Sequence, residues 1–210
     1  AFYEKGRLLD AQQRWEEART VYVAAKDRDA LRFRAPEALN AIIHEEATRF
    51  GAAVVDTRQH LAAASQGGII GQTLMTEHLH PNPEGYFVIA DAFYEAMQQR
   101  EMIGPWTHPI PDAEARAEVL LTPVDSLVGM LRVRKLMGSW PFQPPGVVDR
   151  SMDTLRAQNP IEEIAYELAA ERVNWLQANL ALQAYYEQTN QTQQALKTVL
   201  ARIQQYPLLP

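Results

Sequence analysis

Apolar positions recur at helical spacing through most of the chain. Gly6, Leu9, Ala18, Tyr22 and Ala25 predict two antiparallel helices between Phe2 and Ala25, the second opened by Trp15-Glu16-Glu17-Ala18. A polar connection follows over residues 27–35, and Pro36 opens a helix with Leu39, Ile42, Ile43 and Ala47 along one side. The short run Gly51-Ala52-Ala53-Val54-Val55-Asp56 then predicts a buried strand. Tyr86, Ile89, Ala90, Phe93 and Met97 form a core stripe on a later helix. Near the end, Pro160 begins a helix with Ile161, Ile164, Ala165, Leu168 and Ala169 on its buried side, and Leu176, Leu180, Tyr185 and Tyr186 continue the apolar face.

Between Gly104 and Gly146 the pattern breaks at prolines 105, 109, 111, 123, 141, 144 and 145, which predicts extended backbone for much of that length. Inside it, Asp125 or Ser126 starts a helix through Leu131 and Val133. Trp106, Trp140 and Phe142 would not stay exposed in such a segment, so they are expected to dock on a domain surface or on a protein partner. His108 and the Asp112-Ala113-Glu114 run read as an exposed stretch and a helix start.

The alternation of small and large residues in the first hairpin resembles a tetratricopeptide repeat. Small residues at Gly6, Ala18 and Ala25 would bring the helices close, and a single repeat leaves faces for neighbours to cover. Leu182, Tyr186, Ala195, Val199 and Pro207 have similar offsets, with Gln183 standing where a small residue is usual, as in a terminal cap. The chain starts inside a helical pattern, which reads as a fragment or a processed product.

Composition narrows the class. The 210 residues are 47% hydrophobic and 22% charged, with a net charge of −6, an ordinary globular balance. An acidic chain without a long Lys/Arg cluster lacks the electrostatic footprint of a nucleic-acid binder. No apolar run approaches the roughly 18 residues that a membrane span needs. With no cysteine, disulfides, thiolate metal sites and a cysteine nucleophile are excluded.

The candidate chemistry lies in Glu77-His78-Leu79-His80-Pro81-Asn82-Pro83-Glu84-Gly85-Tyr86. Pro81 steers His80 into extended geometry, while Asn82 caps a helix whose first turn holds Pro83 and Glu84. Glu77 is placed to hold the Nδ1 proton of His80, leaving Nε2 outward as a base. His78 and His80 are two apart and, joined by Glu77, make a second possibility, a metal unit. His44 and His60 stand in no metal-ligand spacing. The loop Ser65-Gln66-Gly67-Gly68-Ile69-Ile70-Gly71-Gln72 lacks the glycine order of a phosphate loop and reads as flexibility near a site mouth.

Glu77 to Tyr86 resembles the last conserved block of the SGNH/GDSL esterase and lipase superfamily, with Glu77 standing where that family has aspartate. The resemblance covers roughly residues 35 to 100, the Gly51–Asp56 strand included. It implies His80 as general base, Glu77 as its orienting acid, no metal or organic cofactor, and hydrolysis of an ester or acylated glycan through an acyl-serine. It further implies a bacterial-type protein of the cell envelope or periplasm. The family's nucleophile and oxyanion blocks do not precede residue 77; the nearest string, Val124-Asp125-Ser126-Leu127, lacks the glycine and follows the histidine.

The expected architecture is mostly α with a small α/β part, the last strand and helix of an SGNH-type three-layer α/β hydrolase flanked by tetratricopeptide-like hairpins. Its parts are residues 1–34 (helical hairpin), 35–104 (hydrolase-like portion), 105–150 (Pro-rich extended segment) and 151–210 (C-terminal helical region). Two functions follow, a serine esterase fragment or a non-catalytic assembly subunit that binds a protein partner through its helical repeats and aromatic-rich linker and keeps a relic block.

Overall fold

The computed structural model describes residues 1–102 and 104–207. Residues 208–210 of the predicted C-terminal region lie outside them. The chain forms two compact units, Ala1–Asp112 and Ala113–Pro210. No helix is long and apolar enough to cross a membrane among the described residues.

In the first unit, α1 (Phe2–Ala11) and α2 (Trp15–Asp27) form an antiparallel hairpin. Leu9 and Ala18 are buried at their contact, Gly6 meets the Tyr22 ring, and Tyr22 packs on Tyr3 at 5.8 Å between centroids. Gln66–Gly68 makes a short 3₁₀ turn against α2. A Cβ at Gly67, whose φ is 60°, would fall 2.2 Å from Trp15 Cγ. The glycine in this loop therefore serves close packing on a tryptophan, where the sequence reads flexibility.

Helix α3 (Glu37–Phe50) is anchored at its start by an ionic clasp. The Glu37 carboxylate takes Lys26 Nζ of α2 at 2.5 Å and Arg58 of α4 (Thr57–Ala63) at 2.5 Å, while the Glu37 amide donates to Asp27 at 3.1 Å. The apolar side read from its sequence is exposed: Leu39, Ile42 and Ile43 are each half or nearly half accessible, and α3 buries no residue fully.

The expected strand is absent. Residues 52–56 are extended, but among the described residues the only β pairing is an isolated bridge between Met75 and Pro81. The chain is all-helical, with ten α-helices and no sheet among the described residues, so the three-layer α/β hydrolase assignment is overturned. The reason is physical. A strand is stable only when neighbours satisfy its backbone groups, and local hydrophobicity cannot supply them.

Helix α5 (Pro83–Gln99) closes the unit, packing on α4. Its buried side runs through Gly85 and Ala92, so Tyr86 and Phe93 of the predicted stripe lie at the exposed edge. Trp106 docks edge-on against Tyr94 of α5 at 4.9 Å, and the Tyr94 hydroxyl accepts the Ile110 amide at 2.9 Å.

The second unit contains α7 (Pro123–Met137), α8 (Pro160–Ala169), α9 (Trp175–Gln188) and α10 (Thr192–Gln205). A seven-residue helix, α6 (Asp112–Glu118), begins just before it. The segment predicted as extended, 105–150, thus contains α6 and α7, because Pro123 occupies the first helical turn, where its missing N–H costs nothing. Val124, Val128 and Leu131 of α7, Ala165 and Leu168 of α8, Ala178, Leu182 and Tyr186 of α9, and Ala195 of α10 form one core. Trp140, by contrast, is exposed.

Helix starts in this unit are fixed by side chains. Thr122 and Asp125 form a capping box on α7, Asn159 caps α8, and Asn174 with Gln177 boxes α9. Asp125 does more than cap. Its Oδ2 accepts the Thr122 amide at 2.9 Å and hydroxyl at 2.6 Å, while Oδ1 accepts the indole N–H of Trp175, the first residue of α9, at 2.7 Å.

Candidate acid–base site

The site is a turn wound onto the N-terminus of α5. The Leu74 and Met75 amides donate to Gly71 O at 3.0 and 2.9 Å, starting the turn. The Thr76 amide reaches His80 O at 2.8 Å and the Asn82 amide reaches Leu74 O at 2.9 Å, closing it. Asn82 is the N-cap, its Oδ1 accepting the Gly85 amide at 2.9 Å and its Nδ2 donating to Thr73 O at 3.0 Å. Pro83 fills the first helical position as the sequence requires.

Gly85 is where the turn and helix touch. A Cβ there would lie 2.1 Å from Leu74 O and 3.0 Å from Pro81 Cβ, so no larger residue fits without moving the loop backbone.

This frame brings Glu77 and His80 together. The Glu77 side chain is 1% exposed and His80 is 52% exposed. Glu77 Oε1 accepts the His80 amide at 2.7 Å and also contacts His80 Nδ1. Oε2 accepts the Leu79 amide at 3.1 Å and stands against Nδ1 of His78. A carboxylate is an acceptor only, so the His80 ring presents Nδ1–H to it and leaves Nε2 as the free lone pair. The added methylene of glutamate is accommodated because the side chain folds over the amides of Leu79 and His80.

Burial pushes the Glu77 carboxyl up, but the His80 amide, the His80 ring, the attraction of His78 and the Leu79 amide outweigh it and hold the group below the usual carboxylate range. Glu77 therefore stays ionised at neutral pH. That is the state in which it orients an imidazole and stabilises the imidazolium.

The contact of His78 with Glu77 was not legible in the sequence, nor was the edge-on packing of Phe33 against the His78 ring at 5.1 Å. The one signal was the His-x-His spacing around a turn. The metal alternative meets a different geometry, since each imidazole turns Nδ1 to its own carboxylate oxygen. No group of three or more His, Asp or Glu able to hold a metal is present among the described residues.

The remaining candidates have structural partners. His44 Nε2 lies 3.9 Å from Asp56, the residue that caps α4. Ser65, the one serine of residues 1–112, donates its hydroxyl to Leu61 O at 2.7 Å. Ser126 sits in the first turn of α7, its hydroxyl toward Thr122 O at 3.4 Å, and its neighbour Asp125 is the N3 partner of the Thr122 capping box. Comparison with known protein families, with characterised proteins and with solved structures finds no match to the chain.

Proposed function

We propose that Glu77 and His80 are the acid and base of a serine-type relay that hydrolyses esters or O-acyl groups, with nucleophile and oxyanion donors supplied by polypeptide outside residues 1–210. One observation carries this reading: a buried, ionised carboxylate grips Nδ1 of a half-exposed histidine whose Nε2 is left outward. The proposal rests on that geometry and on the resemblance of Glu77–Tyr86 to the SGNH/GDSL block, not on an α/β fold.

His80 Nε2 takes the proton of the serine hydroxyl as its oxygen attacks the acyl carbon. The proton then passes to the departing alcohol, leaving an acyl-serine. Water, deprotonated by the same Nε2, attacks that intermediate, and the proton returns to the serine oxygen as the acid leaves. Glu77 keeps its charge throughout and stabilises each imidazolium.

Fluorophosphonate labelling of the protein from its natural source, followed by peptide mapping, tests the proposal. A labelled serine is expected, with labelling and turnover lost in His80→Ala. Because His80 is half exposed, that variant should lose no more than about 1 kcal/mol of stability. Undiminished labelling in His80→Ala, or none on intact folded protein, overturns the reading. A second reading, an assembly subunit binding a protein partner, is favoured by the exposed Leu196, Leu200 and Ile203 at i, i+4 and i+7 on α10. In that case Leu200→Lys disrupts a complex isolated from the source, and His80→Ala leaves it intact.

A further inference from the structure

Glutamate is a poor choice for a rigid acid unless something fixes it, since its three side-chain torsions carry up to about 2 kcal/mol of conformational entropy. In this turn the carboxylate plane is set by its two oxygens having different partners. Oε1 faces the amide and ring of His80, and Oε2 faces the Leu79 amide and Nδ1 of His78. The Leu79 bond, at 3.1 Å, is the longer of the two amide bonds, and a single amide bond leaves Oε2 free to pivot about it.

The second histidine is built in. Both ring nitrogens of His78 are shielded from solvent, Nδ1 meets Glu77 Oε2 as an ionic contact and not with hydrogen-bond geometry, and Phe33 stands edge-on to the ring at 5.1 Å from the connection between α2 and α3. The ring cannot swing away without leaving that aromatic contact. It is also the side chain next to Glu77 in sequence, so the turn closed by Thr76 and His80 delivers both imidazoles to one carboxylate.

From this arrangement we infer that His78 is a positioning residue: held by Phe33, it clamps Glu77 Oε2 so that Oε1 stays on His80 Nδ1 and Nε2 remains the free base. The inference rests on the acid–base reading above. His78 itself touches neither substrate nor reacting atoms, and it acts only through Glu77.

The test reads the ring rather than turnover. Long-range proton–nitrogen correlation NMR on the intact protein distinguishes the two neutral tautomers of His80. A free imidazole in water favours Nε2–H, so Nδ1–H reports the grip of the carboxylate. Wild-type His80 is expected as Nδ1–H and Glu77→Ala as predominantly Nε2–H. His78→Phe keeps the ring packing but lacks the nitrogen, and should give a mixture. His78→Asn restores a donor at the Nδ1 position and should return the wild-type spectrum.

A wild-type tautomer in His78→Phe beside a changed Glu77→Ala overturns the role of His78 and leaves the relay standing. Equal disturbance in His78→Asn and His78→Phe overturns it too, since bulk and not the polar contact with Oε2 would then matter. Retention of Nδ1–H in Glu77→Ala removes the relay, and the role of His78 with it. If phenylalanine at 78 does not fold, His78→Gln makes the same comparison, because its amide reaches the Nε2 position and misses the carboxylate.

Discussion

Replacing Gly85 by alanine adds one methyl group at the junction on which the site depends. That methyl would lie 2.1 Å from Leu74 O, where ordinary contact begins near 3.4 Å, so the oxygen must retreat by about 1.3 Å. Leu74 O is also the acceptor of the Asn82 amide at 2.9 Å, and the shift breaks that bond. Overpacking costs about 1–3 kcal/mol and the hydrogen bond about 0.5–1.5, against a gain of about 1 for alanine over glycine in a helix. The net is a loss of about 0.5–3.5 kcal/mol. Gly129 in α7 is the control, since a Cβ there meets nothing within 4 Å. Gly129→Ala should gain about 0.5–1 kcal/mol from propensity alone. Urea unfolding followed by circular dichroism measures both. If Gly85→Ala is as stable as wild type, or shifts upward with Gly129→Ala, the reasoning about the junction is wrong.

Two further outcomes concern stability. Arg58 and Lys26 hold the Glu37 carboxyl down at about 2, against 4.5 for the free group. A depressed folded value means that this stability is complete above about pH 4.5 and is lost as pH falls toward about 2. In a site closed to solvent that depression would be worth about 3.4 kcal/mol, and with Glu37 a third exposed and Arg58 half exposed screening reduces it to about 1. Glu37→Gln should flatten the acid limb of the urea midpoint against pH, and an unchanged limb counts against the clasp. Leu182 is fully buried at the centre of the second unit, so Leu182→Ala should cost about 2–5 kcal/mol; a change under about 1 in urea unfolding would place the core elsewhere.

What the chain discloses by reading alone is what its neighbours along the chain determine. The Asn82-Pro83 start of α5 and the burial of Ala165, Leu168 and Tyr186 depend on contacts within a few residues or on helical period, and both were legible. The approach of Glu77 to His80 was legible for the same reason, since three residues and a proline leave little freedom. The strand over 51–56 was not, because a short apolar run says nothing about whether a partner exists to pair with it. Likewise the pattern of Leu39, Ile42 and Ile43 gives an apolar side but cannot supply what covers it. The clamp by His78 depends on Phe33, 45 positions earlier, and on a turn closed by backbone bonds that any sequence can make.

The two-handed contact of Asp125 has a kinetic consequence. One carboxylate closes the first turn of α7 and holds the indole of Trp175, 50 residues on, at the first turn of α9. Fraying of either helix start displaces the shared carboxylate, so the opening of the two ends is coupled although α9 keeps its own Asn174–Gln177 cap. Amide hydrogen exchange should therefore report a single opening event for the first turns of α7 and α9, with matched protection that falls together in Asp125→Asn.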